Sequence, residues 1–444
     1  MNQNLDTFNH MESNVRYYIR SFPAVFSRAR GAQIWDEDGK SYIDFFAGAG
    51  ALNYGHNNPA LREKLIAYLE SDGMVHGLDM ATAAKENFLK TFERIVLQPR
   101  GMDYVLQFTG PTGANAVEAA LKLARKVKQR ANIISFTNGF HGVSSGALAA
   151  TGNSHFRQGA GIALGNVTFM PYDGYFGPDV DTIAYLERML DDPASGVDAP
   201  AAAIVETVQG EGGVHVASAQ WLRALEAVCR KHDMLLIVDE IQVGCGRTGR
   251  FFGFEESGIR PDIVTMSKSL SGYGLPLAMV MLKPELDRWR PGEHNGTFRG
   301  NNLAFVTAAH ALEGFWRSEG MSELIERKAE LLRKWCRTLH SKRPELGVQV
   351  RGRGLICGVF LSDPDGLGGE KIGEMHKKIA RRAFEKGLIV ETAGAGDEVI
   401  KLLPPLLIDD HLLRQGLQIL EDAIVAEVRA AVPQRVPFPE LMHS

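Results

Sequence analysis

The chain has 444 residues and only four cysteines, Cys229, Cys245, Cys336 and Cys357. None stands in a C-x-x-C pair, which argues against a thiolate metal site and a disulfide framework and fits a reducing compartment. No apolar run approaches the length needed to cross a bilayer. Charge of either sign is not in excess: 49 Lys and Arg face 53 Asp and Glu, a formal net charge of −4. That leaves no basic footprint for nucleic acid or for an anionic membrane. The start, Met1-Asn2-Gln3-Asn4-Leu5-Asp6, lacks the basic-then-apolar order of a signal peptide, so a cytoplasmic location is expected. There is no internal repeat, no low-complexity segment and no Gly-Lys-Ser/Thr phosphate loop, which sets aside P-loop nucleotide chemistry.

What is present reads as an enzyme. Hydrophobic residues make up 45% and charged residues 23%, ordinary for a globular protein. Many of the 47 glycines follow short apolar runs, where α/β enzymes build ligand sites. Residues 1–22 suit an arm or a short helix. Gln33 to Phe45 predicts a hairpin turning at Asp38-Gly39, and helices follow near 59–71 and 80–97. From Tyr104 to Leu282 short apolar runs alternate with helices and functional-looking loops, the grammar of a mostly parallel sheet covered on both faces. After Asn302 come helices near 303–318 and 320–341. Strands are then expected at 348–351, 355–360, 388–390 and 399–402, with helices at 369–385 and 409–430. The expected fold is α/β. Residues 53–310 form a large domain, and 1–52 with 311–444 form a smaller α+β domain from both chain ends.

Six segments carry candidate chemistry. Gly110-Pro111-Thr112-Gly113-Ala114-Asn115 follows a strand and opens a helix, which suits either a phosphate cradle or a plain Thr112 cap. Phe140-His141-Gly142 places an aromatic where it could cover a planar ring or fill a core. Asp239, directly after an apolar strand, needs a cationic partner such as a protonated pyridine nitrogen; the alternatives are a loop cap or a Mg²⁺ ligand. Lys268 ends the strand Ile263-Val264-Thr265-Met266, where apolar walls can strip its proton and make it a nucleophile. Glu206 to Gly213 sets two acids around a tight turn, and Asn295-Gly296-Thr297-Phe298-Arg299-Gly300 offers a hydroxyl to a phosphate. Each segment alone also reads as ordinary structure. Together, and in this order, they are the parts needed to hold pyridoxal phosphate.

At this point the sequence resembles a known family, the class III or ω-type aminotransferases of the fold-type I pyridoxal-phosphate enzymes, from about Trp35 to Leu406. The resemblance is carried by Asp239-Glu240-Ile241-Gln242-Val243-Gly244-Cys245-Gly246-Arg247-Thr248-Gly249, by Pro261-Asp262, and by Ser267-Lys268 with Gly272 and Pro276 beyond. It implies that Lys268 is the Schiff-base lysine and that Asp239 pairs with the ring nitrogen. Gln242 would sit near the phenolic oxygen, Gly113 and Ala114 at the phosphate, and Phe140 on the ring, with His141 beside it. Thr297 would reach the phosphate of a neighbouring subunit, so a homodimer with shared sites, or a tetramer built from it, is implied. Phe45 to Pro59, Phe108 to Asn115, Ser269 to Pro276 and Glu293 to Asn302 are similar to the diaminobutyrate–2-oxoglutarate aminotransferases of ectoine and siderophore pathways. The implied reaction moves the terminal amine of L-2,4-diaminobutyrate to 2-oxoglutarate. Ornithine, 4-aminobutyrate or putrescine transamination, and a same-fold aminomutase or decarboxylase, are the alternatives.

Two departures concern substrate binding. Many members of the family have Arg before the C-terminal Pro-Pro, paired off by the Glu of the Gln-Gly-Glu-Gly turn. Here the matching residues are Lys401 and Glu211, and a lysine is a point charge rather than a two-pronged fork. Arg299 is also unusual in its loop, where it would be a carboxylate clamp or an interface salt bridge.

Overall fold

The computed structural model describes residues 5–362 and 368–431. The parts of the expected small domain at 1–4, 363–367 and 432–444 lie outside the described residues. At the centre is a seven-stranded sheet in the order Val105–Phe108, Met279–Leu282, Ile263–Met266, Leu235–Asp239, Ala202–Val205, Ile133–Phe136, Val167–Met170. The five inner strands are buried at every position. Helices cover both faces, so these strands are mostly apolar instead of alternating. Only Met279–Leu282 runs antiparallel to its neighbours; the other pairs are parallel.

Parallel strands deliver their following loops to one edge, and here that edge collects every candidate loop between Gly110 and Lys268. The helix Gly113–Lys128 starts at this edge because the Thr112 hydroxyl caps it, accepting from the Asn115 amide at 3.3 Å. Its other face is apolar and buried from Ala116 to Ala124, which holds the helix start rigidly against the sheet.

A second core joins both chain ends. Ala32, Ile43 and Phe45 pack there with Leu332, Val359, Leu402, Leu417 and Ile424. Its sheet runs Val348–Arg353, Ile356–Leu361, Val399–Leu402, Glu391–Ala393, all antiparallel. The strands Phe26–Arg30, Gln33–Asp36 and Ser41–Asp44 form another sheet, closed by Leu388–Ile389 in parallel. We propose the discontinuous division of the chain on this basis. The helix Asn302–Phe315 stays whole with the large unit, because Ala304, Phe305, Ala308 and Leu312 belong to the main core.

The differences from the expected elements have local causes. Phe26–Arg30 is a mostly exposed edge strand, so its residues carry no apolar alternation. The strand expected at 388–390 is two: the chain leaves one sheet after Ile389 and enters the other at Glu391. The second early helix ends at Phe92 and continues as a π-turn over Glu93–Leu97.

One buried cation ties the two units together. Arg247 is fully buried and donates to the Leu355 carbonyl (3.0 Å), the Pro404 carbonyl (2.6 Å) and Asn53 Oδ1 (2.5 Å). Arg247→Met leaves these acceptors dry and unpaired, at about 1–3 kcal/mol each. The expected result is a drop of at least about 3 kcal/mol in denaturant stability; an unchanged midpoint contradicts it.

Candidate active site

Lys268 follows the last residues of the strand Ile263–Met266 with φ of 48°. A side chain rarely takes this left-handed conformation, and the strain needs surrounding structure to hold it. Ser269 supplies part of that hold, donating to the Gly50 carbonyl at 2.8 Å and accepting from the Asn53 amide at 3.1 Å. The turn closes at Gly272 (φ 76°), where a Cβ would stand 2.6 Å from that of Ala311, so only glycine fits. Burial lowers the Lys268 pKa and the Lys401 charge adds to this, while Glu211, Glu391 and Asp239 oppose it; the net shift is downward.

Asp239 ends the adjacent strand. Its Oδ2 lies 2.7 Å from His141 Nδ1, and its Oδ1 accepts from Thr265 Oγ1 (3.0 Å) and from the Ile241 amide (3.1 Å). Burial works to lower the His141 pKa, but the hydrogen bond and charge of Asp239 outweigh it and the net shift is upward. His141 therefore backs Asp239 as a proton-bearing partner and fixes its orientation.

These residues line one cleft of about 170 Å³. Of the residues singled out in the sequence, it brings together Gly113, Ala114, Phe140, His141, Asp239, Glu211, Gln242 and Lys268. Gln242 donates to Glu211 Oε1 (2.8 Å) and to the Ala49 carbonyl (3.0 Å). Glu206 joins the lining, its Oε2 accepting from the Phe140 amide at 2.9 Å. Burial pushes Glu206 up to about 8, with the Asp239 charge adding to the effect and His141 opposing it.

Three expected site residues do not line the cleft. The loop carrying Thr297 and Arg299 is docked on the segment His76–Met80. The Phe298 and His76 rings meet edge-on at 5.2 Å, and Arg299 Nη1 lies 3.9 Å from Asp79 Oδ2. Thr297 is exposed. Arg299 thus stands as a surface ion pair within the chain, not as a clamp in this cleft. Lys401 lies behind Glu211, its side chain fully buried, with Nζ 2.6 Å from Glu211 Oε1 and 3.0 Å from Glu391 Oε1. Burial works against the Lys401 charge, but the two carboxylates outweigh it and raise its pKa to about 12. Burial likewise tends to raise Glu211, yet Lys401 and Lys268 hold it down at about 2.

Glu391 and Thr265 were not picked out from the sequence, and Glu206 was marked only as one of two acids in its turn. Glu206 had a signal, an acid directly after the strand Ala202–Val205. Glu391 had none, because only the cross-strand pairing of Glu391 with Lys401 brings it to the site.

With this geometry in view, the comparisons are specific. The class III aminotransferase family model matches residues 17–424, and the chain belongs to that family. Its cofactor is pyridoxal phosphate. The chain is 63% identical over 439 residues to the diaminobutyrate–2-oxoglutarate transaminase of Bordetella parapertussis, covering 99% of this chain and 98% of that one. It is 57% identical over 417 residues to the protein of the same name from Wolinella succinogenes, with 94% and 95% covered. Among solved structures, ornithine aminotransferase from Toxoplasma gondii superposes with a TM-score of 0.80 at 28% identity, covering 95% of this chain and 94% of that one. An S-selective transaminase from Arthrobacter sp. shares the fold, with a TM-score of 0.83 at 22% identity and 97% and 99% covered.

The cleft fits the cofactor on its own features. The amides in the first turn of a helix have no carbonyl partner within it, and Gly113 and Ala114 present that turn to the cleft. A Cβ on Gly113 would stand 2.9 Å from Ile241 Cδ1, so a larger residue there would press on the Ile241 side chain that also lines the cleft. The buried Gln242 Oε1 has no hydrogen-bond partner, and its environment is completed by a polar ligand.

Beside Asp239, Glu240 turns into the core and accepts from the Gly253 (2.8 Å) and Phe254 (3.2 Å) amides. Burial raises it to about 8, and raises Glu391 to about 7. An unfolded glutamate titrates near about 4.3, so the folded chain holds protons on Glu206, Glu240 and Glu391 that the unfolded chain has released. Stability must then fall as pH rises from about 4.5 to 8. Glu240→Gln is expected to make the fall shallower in denaturant melts across that window; an equally steep fall contradicts the assignment.

Proposed function

We propose that the protein exchanges the 4-amino group of L-2,4-diaminobutyrate with 2-oxoglutarate, giving aspartate 4-semialdehyde and L-glutamate, and that it works mainly in the direction of diaminobutyrate synthesis. The observation that carries transamination is the juxtaposition of a low-pKa Lys268 with the Asp239–His141 pair in one cleft. The choice of substrate is supported by near full-length relatives at 53–63% identity that carry that name.

Pyridoxal phosphate, when bound, supplies an aldehyde that captures amines and a ring that withdraws electrons from the substrate carbon. The chain supplies the rest. Gly113 and Ala114 would hold the phosphate through backbone amides, helped by the helix dipole, and Phe140 would cover the ring face. Asp239 would keep a proton on the ring nitrogen, with His141 and Thr265 fixing its orientation. Gln242 would face the phenolic oxygen. Lys268 would anchor the cofactor and, once released by the incoming amine, take and return the substrate proton at Nζ. Its burial lowers its pKa, which favours that task.

The proposed assembly is a homodimer in which Thr297 reaches the partner's phosphate site. Two features support this: Thr297 is exposed, and around its loop lie exposed Met74, Val75, Leu78, Met80 and Phe298, an apolar surface of the kind a partner covers. Among the described residues no helix is long and apolar enough to cross a membrane.

The decisive assay is a donor panel with 2-oxoglutarate, scored for glutamate. Diaminobutyrate should exceed ornithine, 4-aminobutyrate and putrescine; a different best donor changes the substrate, and CO₂ release or turnover without an oxoacid overturns transamination. Lys268→Ala should lose the visible absorbance of the bound cofactor and at least about 10³-fold in kcat, the scale of a lost general base. Thr297→Ala should weaken cofactor binding about tenfold, as for one lost phosphate hydrogen bond, in a protein that sediments as a dimer.

A further inference from the structure

A second cavity, of about 180 Å³, opens beside the cleft and shares two of its walls, Phe140 and Glu211. Asn138, Asn153 and Ser154 also line it, and Ala395 of the smaller unit closes it. It thus lies where the two units meet, a common place for a ligand. The loops around it are locked. A Cβ on Gly212 would stand 2.1 Å from the Asn138 carbonyl oxygen, so the turn bearing Glu211 rests directly on Asn138. Gln209 Nε2 donates to the Thr137 carbonyl at 2.8 Å, and the Gly394 amide to the Glu211 carbonyl at 3.0 Å. Asn138 itself has φ of 64°, a left-handed conformation that asparagine takes more readily than most residues.

The polar ends in this cavity are left over after the protein's own bonding. Glu211 spends Oε1 on both Lys401 and Gln242. Its Oε2 has no hydrogen bond among the described residues, and the side chain is 25% exposed. The side chains of Asn138 and Ser154 likewise make no hydrogen bond among the described residues. An anionic oxygen, an amide donor and a hydroxyl donor therefore share one cavity without internal partners. That set matches an ammonium and a carboxylate carried on a single carbon.

We propose that this cavity is the subsite for the amino-acid end of the donor: Glu211 accepts from its 2-ammonium, and Asn138 and Ser154 donate to its carboxylate, while its 4-amine lies in the cleft of Lys268. The proposal rests on the transaminase reading above. L-2,4-Diaminobutyrate carries both groups two carbons from the reacting one, so one end can stay in the cleft while the other enters the adjoining cavity. 4-Aminobutyrate lacks the ammonium and 1,3-diaminopropane lacks the carboxylate, so each forfeits one half of the subsite. Ornithine has both groups but sets them one carbon further out. A donor held at three points is also read for handedness. In the D enantiomer the two groups exchange places, and the carboxylate meets the Glu211 charge. The three side chains bind the far end of the donor and choose among amines; none of them moves a proton in the reaction.

The test follows the donor half-reaction of the holoenzyme without oxoacid, through the visible absorbance of the bound cofactor. The donors are L-2,4-diaminobutyrate, its D enantiomer, 4-aminobutyrate and 1,3-diaminopropane. The variants are Asn138→Asp and Ser154→Ala. Asn138→Asp keeps the size and the tolerance of a left-handed backbone but puts an anion where the amide donor was. Its second-order rate constants for L-2,4-diaminobutyrate and 4-aminobutyrate should each fall at least about tenfold relative to 1,3-diaminopropane, the scale of one hydrogen bond to a charged group. Ser154→Ala, at an exposed position, should shift the same ratios in the same direction by about threefold or more, and it decides the matter if Asn138→Asp does not fold. The wild type should favour the L over the D enantiomer at least about tenfold. A fall shared equally by all the amines, wild-type ratios in the variants, or no preference between enantiomers overturns the proposal. If the wild type converts none of these amines, the transaminase reading itself has failed; if it converts them and the ratios do not move, only the subsite has.

Discussion

The structure turns on a buried lysine amine, Lys268, with carboxylates standing around it. Glu211, Glu391 and Asp239 all favour the charged form of Lys268, and only burial with the nearby Lys401 pushes the other way. Each carboxylate is therefore matched elsewhere. Asp239 is held by His141, and Glu211 and Glu391 by Lys401. Without those partners the acids would either pair with Lys268 or stay protonated, and the nucleophile or its charge balance would be lost. The low shift of Lys268 is a property of the whole cluster.

The fold makes this arrangement possible by geometry. Parallel strands end at one edge, so Asp239 and Lys268 come from neighbouring strands in register, with Asp239 opposite Thr265. The helix Gly113–Lys128 points its start at the same edge. Lys401 and Glu391 belong to the smaller antiparallel sheet, so the cleft is walled from two different cores. Arg247 spans the junction by bonding the Asn53 side chain and the Leu355 and Pro404 carbonyls at once. Small shifts between the two cores would act first on the Glu211–Lys401 contact.

Much of the large unit was legible in the residues. Its inner strands are short and largely apolar, and chemistry follows most of them, so strand ends and site residues announce each other. Lys268, Asp239, Gly113 and Phe140 all fall at such ends and all line the cleft. Less was legible where contacts join distant segments. Glu391 sits on a three-residue strand and matters only through its partner ten positions later. The sequence places Lys401 where relatives carry an anchor, but its burial behind Glu211 shows only in the fold. Arg299 reads as a clamp or an interface salt bridge, and only the fold brings Asp79 beside it. The antiparallel Met279–Leu282 went unmarked, since an apolar run after a Gly-Pro loop carries no sign of strand direction.

The central claim is that this cleft moves one particular nitrogen. It is tested most directly by supplying L-2,4-diaminobutyrate labelled with ¹⁵N at the 4-amino group, and separately at the 2-amino group, with unlabelled 2-oxoglutarate, and reading the glutamate by mass spectrometry. The account predicts labelled glutamate from the 4-amino form alone. Label arriving from the 2-amino group, or no glutamate from either, would contradict it.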